Sequence, residues 1–200
     1  MSNTPPTLIL ASQSAYRREL LSRLCEDFQA CPAGIDETPL SGENPAELAA
    51  RLAAGKAGKI ARDHPDALIV GSDQVAALGD RPLGKPGTPE KAAAQLADCS
   101  GNAVVFYTAV SVLCLNSGFS AAHTDITRVR FRQLTAAEID AYLKLDEPWD
   151  CAGSFKSEAH GSLLFEAIEN TDPTGLIGLP LIWLGNCLRE AGLDPLLNRG

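Results

Sequence analysis

Three stretches of this chain carry side chains of the types and spacing that chemistry needs. The first is Ser12-Gln13-Ser14-Ala15-Tyr16-Arg17-Arg18, directly after the apolar run Thr7–Ala11. Free amides at a helix start, two hydroxyls and a guanidinium are together the donors that hold a polyphosphate. Read alone, the segment is equally an N-cap serine followed by exposed arginines. The second is acidic: Asp36 and Glu37 share one turn, and Asp73 lies inside the apolar stretch Ala67–Leu78. A carboxylate there is costly unless paired, so Asp73 is either a working group or half of an ion pair. Hydrolysis of a phosphate anhydride asks for a base to orient water and a divalent ion held by carboxylates, and these residue types are present. The third, Gly79-Asp80-Arg81-Pro82-Leu83-Gly84-Lys85-Pro86, has the Gly-x4-Gly-Lys frame of a phosphate loop. Its chemistry fails, because Pro86 replaces the magnesium-binding hydroxyl and Pro82 removes an amide donor. Lys85 remains as a phosphate-contacting cation at a turn or a solvated lysine, and Lys56 and Lys59 read alone as surface charges of a helix.

Positioning these groups requires alternating elements. Thr7–Ala11 predicts a buried strand and Ala15–Leu24 a helix with Leu20, Leu21 and Leu24 on one face. An extended piece at Phe28–Pro32 leads to the acidic turn, and Pro45–Arg62 is a long run of helix formers with proline suited to its first turn. Ala67–Val70 and Val75–Leu78 predict a strand with polar side chains in its middle. Thr88-Pro89-Glu90 caps a helix to about Asp98. Asn102–Leu115 and Phe119–Leu134 form a hairpin around Asn116-Ser117-Gly118, so the sheet is mixed. Thr135 to Glu138 is a capping box for a helix to about Lys144, Cys151–Phe165 reads as strand plus loop, and Pro180–Ala191 is a last helix stopped by Gly192. The expected fold is α/β: a mixed twisted sheet with flanking helices, two lobes around a central cleft, as one domain over residues 1–200.

The 200 residues carry a formal net charge of −8, which argues against a nucleic-acid polymer as partner while leaving room for small anions focused in a cleft. No run is long and apolar enough to span a bilayer, and the start, Met-Ser-Asn-Thr-Pro-Pro, has no basic signal region, so no membrane partner and a cytoplasmic location are expected. The six cysteines show neither C-x-x-C nor zinc spacing and read as reduced, small core side chains. His64, His123 and His160 fall in separate segments with no acid or thiol at triad spacing, which favours surface or structural roles.

Taken together, Leu10-Ala11-Ser12-Gln13-Ser14 with Arg17-Arg18, Asp36-Glu37-Thr38, Lys56-Ala57, Gly71-Ser72-Asp73-Gln74-Val75, Leu83-Gly84-Lys85-Pro86, and Ser100-Gly101 before Tyr107-Thr108 resemble the Maf family of nucleoside triphosphate pyrophosphatases. Ala15 stands where that family commonly has proline, a change that removes no chemical group. The resemblance implies a fold like that of inosine-triphosphate pyrophosphatases and metal-dependent hydrolysis of a nucleotide between its α and β phosphates, with Mg²⁺, Mn²⁺ or Co²⁺. It implies Asp73 as general base, with Lys85, Glu37 and Lys56 beside it in the catalytic group, and Glu37 and Asp73 toward the metal. It further implies Ser12, Ser14 and Arg17 as substrate-binding residues, and a nucleoside triphosphate as the partner, with a homodimer left open.

Gly71–Val75 and Cys151-Ala152-Gly153-Ser154-Phe155-Lys156-Ser157-Glu158 look like the branch that acts on 7-methyl-GTP, with Tyr16, Gln74 and Glu158 as specificity positions. Tyr16 replaces a tryptophan frequent in that branch. The chemistry agrees: N7-methylation makes the purine cationic, so an aromatic face gains about 0.5–2 kcal/mol, and a carboxylate accepts from guanine N1–H and the exocyclic amine. The alternatives are a dTTP/UTP pyrophosphatase of the same family and a nucleotide-binding regulator of cell division that does not hydrolyse.

Overall fold

The computed structural model describes residues 6–197, so the first five residues of the start read above for a signal segment lie outside the described residues. One seven-stranded mixed sheet carries the chain, in the order β2-β1-β3-β5-β6-β7, with β4 paired to β3. β1 (Leu8–Leu10) runs parallel to both β2 (Gln29–Ala30) and β3 (Leu68–Leu78). Every other pairing is antiparallel, through β4 (Arg81–Leu83), β5 (Ala103–Cys114), β6 (Phe119–Phe131) and β7 (Phe165–Glu169). Among the described residues no helix is long and apolar enough to cross a membrane.

Alternation along β3 sorts the two faces of the sheet. Ile69 and Val75 pack under α2 (Pro45–Asp63), whose small residues Ala49, Ala53, Ala57 and Ala61 let it lie close. Gly71 is the closest approach, since a Cβ there would stand 2.3 Å from the Ala53 carbonyl oxygen and 2.6 Å from the Ala57 nitrogen. On the other face two apolar clusters sit at opposite ends. Val70, Val110 and Val112 pack with α1 (Ala15–Ser22) and α5 (Leu181–Glu190). Ala76, Phe106 and Val129 pack with α3 (Pro89–Cys99) and α4 (Ala136–Asp146).

Between these clusters runs a polar stripe, Gln74 opposite Thr108 and Thr108 opposite Asp125. It holds the 171–179 segment. The Gln74 amide nitrogen donates to Thr108 Oγ1 and to the carbonyls of Gly175 and Leu176, Thr108 donates to the Gly175 carbonyl at 2.9 Å, and Thr171 donates to Asp125 at 3.1 Å. Burial pushes the Asp125 carboxyl above its usual range, against the lowering by the Thr171 hydroxyl.

Two local expectations hold and one changes. β3 is one unbroken strand, as expected, and Ser72 and Gln74 in its middle each find a partner on the polar stripe's side. The Gly-x4-Gly-Lys frame, whose phosphate-loop chemistry fails in the sequence, contributes strand β4, and α3 starts at Pro89 behind its Thr88 cap as expected. Cys151–Phe165 is turns and a short 3-10 helix (His160–Leu164), and the strand β7 only begins at Phe165. All six cysteines are free thiols, with Cys99, Cys114 and Cys187 buried.

Candidate active site

Two groups of the expected residues flank the first turn of α1, which carries both Tyr16 and Arg17, and form the two ends of the candidate site. At one end Lys56 on α2 reaches Asp73 on β3, Nζ to Oδ1 2.6 Å, and Glu37, Nζ to Oε1 2.7 Å. Lys56 is one turn from Ala53 and next to Ala57, so the close packing over Gly71 is what brings it to a residue two places further along the same strand face. Asp73 is 8 % exposed, buried enough that an unpaired carboxylate would be expensive, and Lys56 is its partner. Asp73 is thus half of an ion pair, and it also faces Arg17.

Glu37 is delivered by a braced turn. Ile35 packs into the α2 side of the core, the Asp36 carboxylate accepts the Thr38 amide at 2.9 Å and is held below its ordinary range by Thr38, and Arg51 on α2 donates to the Thr38 carbonyl at 3.0 Å. Arg51 also grips Glu43, Nη2 to Oε2 2.8 Å, which lowers the Glu43 carboxyl to about 2.

Arg17 belongs to the same end. Its Nε donates to the Gly178 carbonyl at 3.0 Å, an oxygen that also accepts from the Ser72 hydroxyl at 3.2 Å. Burial lowers the guanidinium pKa, while Asp73 and Glu37 work in the opposite direction. Ser14 caps α1 by accepting the Arg17 amide at 3.4 Å, and Ser12, buried where β1 ends, accepts the Ser14 amide at 3.1 Å. The first turn of α1 thus carries the hydroxyls and the guanidinium that a phosphate needs.

At the other end stand Tyr16 and Glu158. Burial raises the Tyr16 phenol well above its usual value, and Cys151, Asp150 and Glu158 add to the rise, so the ring is set against an acidic wall. Glu158 itself is exposed and accepts from Ser157 Oγ at 3.2 Å. Burial, with Asp150 beside it, pushes the Cys151 thiol up to about 12, which makes it a neutral neighbour of the phenol rather than a nucleophile.

Two expected residues lie apart from these groups. Gln74 leaves the strand face opposite Asp73, and its amide nitrogen is spent on the 171–179 segment. Lys85 is exposed just past β4, where Leu83 pairs with Ala76, and has no ion pair among the described residues. Gly178 and Asp150 belong to the site's surroundings and were not singled out in the sequence, while Thr108 and Cys151 stood there only within family motifs, without a role at the site. The Thr108 and Gly178 contacts span 34 to 161 positions, which no local pattern signals.

A groove of about 660 Å³ between α3 and α4 contains none of these residues; apart from its apolar walls it is lined by Glu90, Asp140 and Glu147 with one cation, Lys144, which pairs with Asp140 at 2.6 Å, so it is a poor seat for a phosphate. Among the described residues no three His, Cys, Asp or Glu side chains form a metal cluster. Glu37 and Asp73 nonetheless suit a hard divalent ion. Each has a second oxygen beyond its Lys56 contact, and two carboxylates with phosphate oxygens make the all-oxygen donor set such ions take.

The comparisons with known proteins follow this geometry. A solved structure of a HAM1 protein from Coxiella burnetii aligns with a TM-score of 0.52 over 92 % of this chain and 99 % of that one, at 13 % identity, which shows a shared fold. A protein of Polaromonas sp. (strain JS666) named 7-methyl-GTP pyrophosphatase is 51 % identical over 100 % of this chain and 91 % of its own length. One of Thiobacillus denitrificans with the same name is 50 % identical over 98 % of each. The family model described as Maf-like protein matches residues 7–191, and the chain therefore belongs to the Maf-like family.

Proposed function

We propose that this protein hydrolyses 7-methyl-GTP to 7-methyl-GMP and diphosphate, clearing a modified nucleotide from the pool. The observation that carries this is the division of surroundings about the first turn of α1: Arg17 faces Asp73 and Glu37, both of which pair with Lys56, and its neighbour Tyr16 faces Asp150 and Glu158. A triphosphate suits the first end, and a purine made cationic by methylation suits an aromatic face in acidic surroundings. The relatives named 7-methyl-GTP pyrophosphatase support the same substrate.

In this reading Arg17, Lys56, Ser12 and Ser14 bind the phosphates, with Lys85 joining from its turn. Asp73 orients a water and takes its proton as that oxygen attacks phosphorus, and Lys56 keeps the carboxylate aimed. Glu37 and Asp73 would hold a divalent cation, which supplies positive charge to the phosphate oxygens. Tyr16 stacks on the base, Glu158 accepts from its edge, and Gln74 acts by holding the 171–179 segment. Six free thiols are consistent with a reducing compartment, and the cytoplasm is the proposed location.

The test is pyrophosphate release from 7-methyl-GTP, GTP, dTTP and UTP in Mg²⁺, Mn²⁺ and Co²⁺. The expected result is fastest release from 7-methyl-GTP. Faster release from dTTP or UTP overturns the substrate, orthophosphate release overturns the bond cleaved, and binding without turnover in every metal overturns the enzyme.

A further inference from the structure

Glu158 rides a turn whose two sides are both fastened to the last turns of α4. On the near side, the Lys156 backbone N–H donates to Tyr142 Oη at 3.0 Å and its ammonium donates to the Asp146 carbonyl at 2.9 Å. On the far side, the His160 backbone N–H donates to Asp146 Oδ2 at 3.0 Å and its Nδ1 lies 2.6 Å from Oδ1. Lys156 and His160 are the residues two places before and two places after Glu158. The turn is also closed on itself, since the amides of Ala159 and Gly161 donate to the Lys156 carbonyl at 3.3 and 3.0 Å. A Cβ on Gly161 would stand 2.3 Å from that oxygen, so only glycine permits this closure without a backbone shift.

Asp146 is the hub. Its side chain is 3 % exposed while that of His160 is 55 % exposed, so a carboxylate at the end of α4 is buried with both oxygens directed at one surface turn. None of the phosphate chemistry uses it. A buried carboxylate with this arrangement holds its donors in place more than it adds to the core, because charged hydrogen bonds are strong and directional.

We infer that Asp146, acting through His160 and Lys156, is a positioning residue for base discrimination: it fixes the 156–161 turn so that the Glu158 carboxylate is already presented when the nucleotide arrives. The inference rests on the proposed reading of Glu158 as the group that accepts from the base edge. With both flanks tied, the carboxylate has less freedom to lose on binding. Without the hub, Glu158 would sample many directions, and affinity for the methylated base would fall while the phosphate end, built on other elements, would keep its geometry.

The experiment compares wild type with Asp146→Asn, His160→Ala and Glu158→Gln for kcat and KM on 7-methyl-GTP and GTP, with a thermal melt for each. Because His160 is exposed, His160→Ala tests the idea even if Asp146→Asn fails to fold. The expected result is a KM for 7-methyl-GTP raised about five- to tenfold in both hub variants, kcat within about twofold, and a preference over GTP reduced by about the same factor as the KM change. If Glu158→Gln lowers the preference and His160→Ala leaves it intact, the positioning role is overturned and the base-edge role stands. If Glu158→Gln leaves the preference intact, the base-edge role falls and takes the positioning role with it. Equal losses of kcat on both substrates in His160→Ala would show general damage and overturn the inference.

Discussion

At the phosphate end, Lys56 and Asp73 stand on the 19-residue helix α2 and on the interior strand β3, whereas at the base end Glu158 rides a turn with no ladder of its own. The first is held by close packing of helix on sheet, with Gly71 under Ala53 and Ala57. The second is held by a handful of hydrogen bonds to α4. Elements buried on both sides resist change, while a hydrogen-bonded turn tolerates it. Under the proposed function the reaction would be set by the core, and the choice of base in part by a surface turn that can vary without disturbing it.

The strongest way to break this contrast is Asp73→Asn, which is expected to lower kcat on 7-methyl-GTP by about 10²–10⁴-fold with the preference among bases unchanged. Steady-state kinetics on two nucleotides reads both quantities, and a variant that kept its rate would remove the phosphate end from the chemistry. Next is Gly71→Ala. The added methyl meets backbone atoms of α2, so a stability loss of about 1–3 kcal/mol is expected, seen as a lower Tm, together with slower turnover as Lys56 is pushed from Asp73. Gly58→Ala, on the same helix with open space around it, should instead stabilise by about 0.5–1 kcal/mol. Equal melting shifts for the two would deny that contact over Gly71 matters.

Tyr16→Ala sharpens the other half. Losing about 0.5–2 kcal/mol of cation–π attraction would cut the preference for 7-methyl-GTP over GTP by about 2- to 30-fold with little change in kcat, while Tyr16→Trp should keep it. The smallest effect concerns acid. Arg51 holds the Glu43 carboxyl at about 2 in the folded chain against an ordinary value near 4.5, so this contribution is present above the ordinary value and is lost as pH falls through the folded one. Melting curves from pH 6 to pH 2 should show Glu43→Gln closing its gap to wild type toward the acid end, with the brace on the Glu37 turn loosening in wild type over that window.

Much of this was legible before any coordinates. The Thr135 and Glu138 capping box forms with both of its hydrogen bonds, and the hairpin around Asn116 to Gly118 joins β5 to β6. Asp73 could be singled out because an acid in an apolar strand breaks a local rule, and such breaks concentrate at working sites. Other features left no local trace. The polar side chains in the middle of β3 could be seen in the sequence but not what satisfies them, because Ser72 and Gln74 donate to carbonyls about a hundred residues away in the 171–179 segment. His160 reads in the sequence as a surface or structural histidine and the structure has it so, but its partner Asp146, at the end of a preceding helix fourteen positions back, could not be named from spacing. The reading of Cys151–Phe165 as partly strand failed because turns closed by their own carbonyls do not show in composition.

The Gly178 carbonyl that receives Arg17 settles when a thermodynamic cost falls due. An arginine side chain carries about 2 kcal/mol of rotamer entropy. Tethered to that carbonyl, Arg17 surrenders part of that freedom during folding, so under the proposed function it is not lost again at each encounter with a nucleotide. Capture of a highly charged molecule then proceeds with one less group to be ordered.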